Sequence, residues 1–213
     1  IGCPHIIQKL KMEIKSHSSF DAFAQSIESL LSRRSNSKSV SYAKKSLKIL
    51  GKNFISYIRK PNKNNSYQMC LAANYSGRAI NISKTTAPHA LSYPFTSYYG
   101  ISHGHAVSLT INEFLKFNYL NIHLADSKLD LKKRYNILFK STNTKNIDEL
   151  LRYVSKLKKI AKLETDFKKL KIRLNNSLNK ILSGVNLQRL SNNPVKLNKY
   201  DIKVLLKSKF YSK

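Results

Sequence analysis

Apolar residues return every third or fourth position along most of the chain while strictly alternating patterns are scarce, which restricts the fold to packed α-helices. Phe20, Phe23, Ala24, Ile27, Leu30 and Leu31 form one such stripe over 18–32, with Ser18 and Asp21 placed as a helix start. A second helix is expected over 40–58, ending before Pro61, and a polar loop over 61–66. Leu71, Ala72, Ala73, Ala79 and Ile80 then suggest a buried helix over 67–82, packed closely at Gly77. Pro88, Pro94, Gly100 and Gly104 exclude one continuous helix through the middle of the chain. Helices resume over 106–117, three or four more fall between 126 and 182, and the turn at Asn192, Asn193 and Pro194 precedes a last one over 199–206. With no internal repeat and no low-complexity linker, the expected fold is all-α, a single multi-helix domain of eight or more helices spanning 1–213.

Charge narrows the function classes less than it first suggests. The chain carries 39 Lys and Arg against 11 Asp and Glu, a formal charge of +28. Yet 31 of those cations are Lys and only 8 are Arg, the side chain whose planar fork suits phosphate and guanine, and they are spread along the chain. Weak adhesion to polyanions follows from the charge; specific nucleic-acid binding does not. With 41% hydrophobic residues the chain can bury a core, so a disordered basic tail is excluded. Two cysteines, Cys3 and Cys70, make no disulfide framework and fit a reducing compartment. No apolar run approaches the roughly 20 residues that span a bilayer, so no membrane partner and a cytoplasmic location are expected. Residue 1 is isoleucine, which suggests a fragment or a processed chain.

The chemistry concentrates in the middle. His89, His103 and His105 fall within seventeen residues, on segments bounded by prolines and glycines, and neutral imidazole is a common ligand for divalent transition metals. Asp21 and Gln25, four apart, project from one helix face and could complete a four-ligand pocket with an open position for a substrate oxygen. On spacing alone Asp21 could equally be a capping carboxylate and Gln25 a solvated side chain. His5, His17 and His123 have no partners in sequence and read as structural or exposed.

These segments resemble the C-terminal domain of the iron-containing alcohol dehydrogenases, of dehydroquinate synthase-like fold. The resemblance rests on Asp21-Ala22-Phe23-Ala24-Gln25, on the run from Asn81 through Lys84, Thr85, Thr86, Pro88 and His89 to Tyr93, and on Gly100-Ile101-Ser102-His103-Gly104-His105. Leu163-Glu164-Thr165-Asp166 and the run from Val185 to Val195 are similar to a branch that includes phosphonoacetaldehyde reductases. The resemblance implies the C-terminal half of a two-domain enzyme, with a nucleotide-binding N-terminal domain absent from this chain. It implies a divalent metal, Fe2+ first, with Zn2+ or another ion open, held by Asp21, His89 and His103, with Gln25 where most of the family has histidine. His105 is the implied catalytic or substrate-facing histidine, and Lys84 or Arg78 is a candidate for an anionic substrate tail, from charge near the motif.

The implied reaction is NAD(P)-linked interconversion of a small alcohol and aldehyde. No G-x-G-x-x-G occurs among only six glycines, so NAD(P) would need the missing domain, and the isolated chain is expected to bind metal weakly without turnover. Assembly into a homo-oligomer stays open. The rival reading is a degenerate, non-catalytic helical domain whose basic surface binds polyanions.

Overall fold

The computed structural model describes residues 3–211, and among these the chain is helical throughout apart from turns and one isolated bridge between Ala125 and Val195. Twelve α-helices follow in order: α1 (Pro4–Gln8), α2 (Met12–Leu31), α3 (Ser37–Arg59), α4 (Lys63–Ser83), α5 (Ala87–Tyr99), α6 (His103–Ser108), α7 (Ile111–Leu120), α8 (Leu131–Thr142), α9 (Ile147–Ile160), α10 (Leu174–Ser183), α11 (Leu187–Leu190) and α12 (Lys199–Tyr211). The all-α expectation holds. No described helix is long and apolar enough to cross a membrane.

Several helix starts use asparagine. Asn36 and Asn62 each accept from the backbone N–H three residues on, and Ser39 and Asn65 return the bond, so both ends are reciprocally capped. Asn62 therefore begins α4 inside the stretch read as a loop over 61–66.

α2 is the central element, packed against α3, α4 and α6. It begins six residues before Ser18, and Ser18 lies inside it with its hydroxyl bonded back to the Ile14 carbonyl. The capping role open to Asp21 is thereby removed. A helix covered on most sides must satisfy its polar groups internally, and α2 does so with small hydroxyls. Ser26 donates to Ser46 on α3, which passes its own proton to the Ala72 carbonyl; Ser83 on α4 donates to Ser29, and Ser32 donates to the Ser83 carbonyl.

Two apolar clusters result. The first joins α2, α3, α4, α8 and α9 around Phe20, Phe23, Leu47, Phe54, Tyr135 and Leu150. The second joins α5, α10, α11 and α12 with Phe114 and Phe167 around Leu91, Phe95 and Ile181. Along the seam between them, α2 faces α5 and α6.

Two local features shape that seam. Pro94 sits inside α5, where it cannot donate to the Ala90 carbonyl one turn back; the Asn186 backbone N–H fills that place at 3.2 Å, and the helix continues. The break comes instead at Gly100, which takes a left-handed conformation (φ 65°) and ends α5. At Gly104 a Cβ would run into the His17 carbonyl oxygen, so α6 can approach α2 only with glycine there. Gly77, expected to permit close packing, has open space where a Cβ would lie. The helix read over 106–117 is two, α6 and α7.

Candidate metal centre

One oxygen and two nitrogens converge on the seam. Asp21, on the α2 face toward α5, brings Oδ1 to 3.2 Å from His89 Nε2 and 3.7 Å from His103 Nε2. One potential ligand atom from each of the three residues lies within 4.8 Å of the other two. Burial is graded across the trio, with side-chain exposure of 3% for His89, 22% for Asp21 and 46% for His103, so the group opens to solvent on the His103 side.

Both imidazoles are oriented from behind. His89 Nδ1 lies 2.8 Å from Glu28 Oε1, and a carboxylate can only accept, so Nδ1 carries the proton. Ser92 donates its hydroxyl proton to the His89 carbonyl and is left to accept from His103 Nδ1 at 3.3 Å. Each ring thus has its Nδ1 proton committed elsewhere, which makes Nε2, the atom facing Asp21, the one available to a metal.

Glu28 was not singled out by the sequence reading. It is 2% exposed, one oxygen holding His89 and the other accepting from the Thr86 backbone N–H at 2.6 Å. One signal could have found it: Asp21, Gln25, Glu28 and Ser32 recur at spacings of four, three and four, which puts them on one face of α2 and its C-cap.

Gln25 is part of the same group, in a different posture from a simple ligand. Its amide nitrogen donates to Asp21 Oδ2 at 2.8 Å and its oxygen accepts from Ser76 on α4 at 3.1 Å. Coordination through that oxygen requires the amide to turn and release Ser76. His105 stands outside the trio: Nε2 donates to the Glu164 carbonyl at 2.7 Å and the ring lies 5.4 Å from that of His17, which itself pairs with Ser102. His17, read as partnerless, is therefore packed in a second histidine pair beside the centre. Lys84 is exposed, its ammonium folded back onto the Asn81 carbonyl, and Arg78 stacks over Tyr42 at 4.3 Å; neither contacts the trio.

The electrostatics follow from these contacts. Burial pulls the His89 pKa down, but Glu28 and Asp21 together outweigh it and hold it at about 9. For His103 burial also lowers the pKa, Asp21 and Glu28 oppose it, and the positive charges of His89 and Arg189 act with the burial; the net direction is down. A cation-rich chain thus keeps two acids, Asp21 and Glu28, whose charged partners among the described residues are imidazoles only.

Among the described residues, a carboxylate and two oriented imidazoles meet at a seam between helices, a donor set of the kind that could hold a divalent ion. The chain belongs to the Fe-containing alcohol dehydrogenase family, whose C-terminal model matches residues 15–210. The fold is shared with sulfoacetaldehyde reductase from Bifidobacterium kashiwanohense, solved in complex with NAD+ (TM-score 0.86, 23% identity, 99% of this chain and 54% of that one). It is shared equally with an iron-containing alcohol dehydrogenase from Thermococcus thioreducens (TM-score 0.84, 17% identity, 99% and 54%). A phosphonoacetaldehyde reductase from Streptomyces viridochromogenes is 46% identical over 48 residues, 22% of this chain and 12% of that protein. A 4-hydroxybutyrate dehydrogenase from Clostridium kluyveri is 28% identical over 122 residues, 54% of this chain and 32% of that protein. The chain spans about half the length of the solved structures it matches.

Proposed function

We propose that this chain is the metal-holding helical part of an NAD(P)-linked alcohol dehydrogenase or aldehyde reductase acting on a small substrate, with the nicotinamide bound by an N-terminal domain that these residues do not contain. The observation that carries the reading is the convergence of Asp21 Oδ1, His89 Nε2 and His103 Nε2 within 4.8 Å. Family membership supports it, and the relatives named for sulfoacetaldehyde, phosphonoacetaldehyde and 4-hydroxybutyrate point to short substrates that bear an acidic tail.

The donor set fits a divalent transition ion. Asp21, His89 and His103 would hold it, with Gln25 the fourth donor once its amide turns. An amide oxygen binds more weakly than the imidazole found in most of the family, which lowers affinity and moves preference toward harder ions such as Fe2+. A bound ion would supply Lewis-acid polarisation of a carbonyl oxygen.

The remaining work falls to the chain's own residues. Glu28 and Ser92 fix the two rings so that Nε2 points inward. Asp21 offsets positive charge where it would otherwise repel a second cation. His103, the exposed member, borders the open side on which substrate would enter. His105, with Nε2 tied to the Glu164 carbonyl and Nδ1 free of a described partner, is the histidine assigned to proton transfer.

Metal analysis of the purified chain and of Asp21→Ala and His89→Ala tests the reading. One equivalent of divalent ion in the parent and a loss in both variants is expected; equal retention in all three overturns it. The chain by itself is expected not to reduce aldehydes with either nicotinamide, and robust turnover would contradict the division of labour proposed.

A further inference from the structure

Arg189, on α11, is a rim cation whose chemistry the metal centre does not use. Its Nε donates to the Tyr93 hydroxyl at 2.8 Å and Nη1 to the Thr85 hydroxyl, while the guanidinium lies 5.7 Å from the centre of the Tyr93 ring. Tyr93 meets the His103 ring edge-on at 6.4 Å, which places the cation one side chain away from the exposed ligand of the trio.

The segment that carries Arg189 is fixed rather than loose. Asn186 donates its backbone N–H to the Ala90 carbonyl freed by Pro94, and its side chain caps the Arg189 N–H; Asn192 donates to the Thr85 carbonyl. Two of the five guanidinium N–H groups are spent on neutral hydroxyls, and no carboxylate pairs with the group among the described residues. Arg33, by contrast, grips Asp126 at 2.6 Å. A half-buried guanidinium that is oriented, not neutralised, and next to a candidate reaction centre is built to receive an anion.

We propose that Arg189 is the receptor for a tetrahedral oxyanion on the substrate tail, a phosphonate or a sulfonate, so that the aldehyde end meets the Asp21–His89–His103 centre while the tail is held by the free donors of the fork. This assigns to Arg189 the role that proximity in sequence suggested for Lys84, and it rests on the metal-centre reading above. The rival is a purely structural Arg189 that ties α11 to α5.

The test compares three non-reacting acids on the full chain loaded with Zn2+, by calorimetry at fixed ionic strength. Phosphonoacetate and sulfoacetate offer a carboxylate to the centre and an oxyanion to Arg189; methoxyacetate keeps the carboxylate and has a neutral tail. Arg189→Gln should weaken the first two at least roughly tenfold and methoxyacetate less than about twofold, with Arg189→Lys in between. Zn2+ affinity and the melting temperature should stay with the parent's, and Lys84→Gln should change none of the acids. Equal losses for all three acids, or none, overturn the proposal while leaving the metal centre intact. Failure of the parent to bind Zn2+ overturns the metal centre, and this proposal with it.

Discussion

The seam that holds Asp21 and a hollow on another face of the molecule use charge in opposite ways. The hollow, about 620 Å3 between α3 and α8, is lined by Lys44, Lys45, Lys48 and Lys140 with serines and two aliphatic residues, and no acid. Its three α3 lysines are exposed, and Lys45 rests its ammonium over the Tyr75 ring at 5.5 Å. At the seam, charges are few, mixed in sign and fixed by named hydrogen bonds. The bulk excess of +28 describes the hollow and predicts adhesion. The seam is where a single charge has a defined neighbour, and there substitution has consequences out of proportion to its size.

The contrast should be largest for Glu28→Ala. It strands a buried His89 and the Thr86 N–H, and a loss of about 3–5 kcal/mol in unfolding free energy is expected by denaturant titration. Glu28→Gln, which keeps the volume, should instead show mainly as metal affinity about 10- to 100-fold weaker. Gly104→Ala drives a Cβ into the His17 carbonyl and should cost roughly 1–3 kcal/mol while shifting His103 from Asp21.

The pH response comes next in size. His89, held at about 9 in the folded metal-free chain against 6.5 for an unperturbed histidine, contributes stability that is full below 6.5 and is lost as pH rises through about 9. A metal must displace that proton, so affinity should rise by roughly tenfold per unit up to the same pH. A flat affinity over that range would show that His89 does not titrate with the ion. The smallest effect belongs to the hollow: Lys44, Lys45 and Lys48 all changed to Gln should leave metal affinity unchanged and stability within about 0.5 kcal/mol per site. The salt slope of polyanion binding should fall by about 2 to 3. A change in metal affinity there would erase the distinction between the two regions.

The same division explains what could be read from the sequence. The helices of the first cluster declare themselves through apolar spacing, but the start of α2 does not, because Lys11 provides no side-chain cap and Lys15, Ser16 and Ser19 look solvated although they are buried. Helix α5 was hidden by Pro94, whose missing donor is replaced by Asn186, ninety-six residues from the Ala90 carbonyl it satisfies. No local pattern can report so distant a partner. At the centre, Asp21, His89 and His103 could be proposed from residue type and family resemblance. Glu28 could be suspected only from the polar stripe it shares with Asp21 and Gln25, because the imidazole that gives it a role comes from α5, sixty-one residues on. Arg189 is hidden for the same reason: its meaning depends on Tyr93, on α5, and on Thr85, just before that helix, both about a hundred residues away in sequence.

The trio draws its members from both sides of the boundary between the two apolar clusters, Asp21 from a helix of the first and His89 from a helix of the second. An ion gripping them would work as a rivet through two plates. At a free concentration a hundred times its dissociation constant it would add about 2.7 kcal/mol to the cohesion of the body, and a chelator would loosen the joint before it touched either plate.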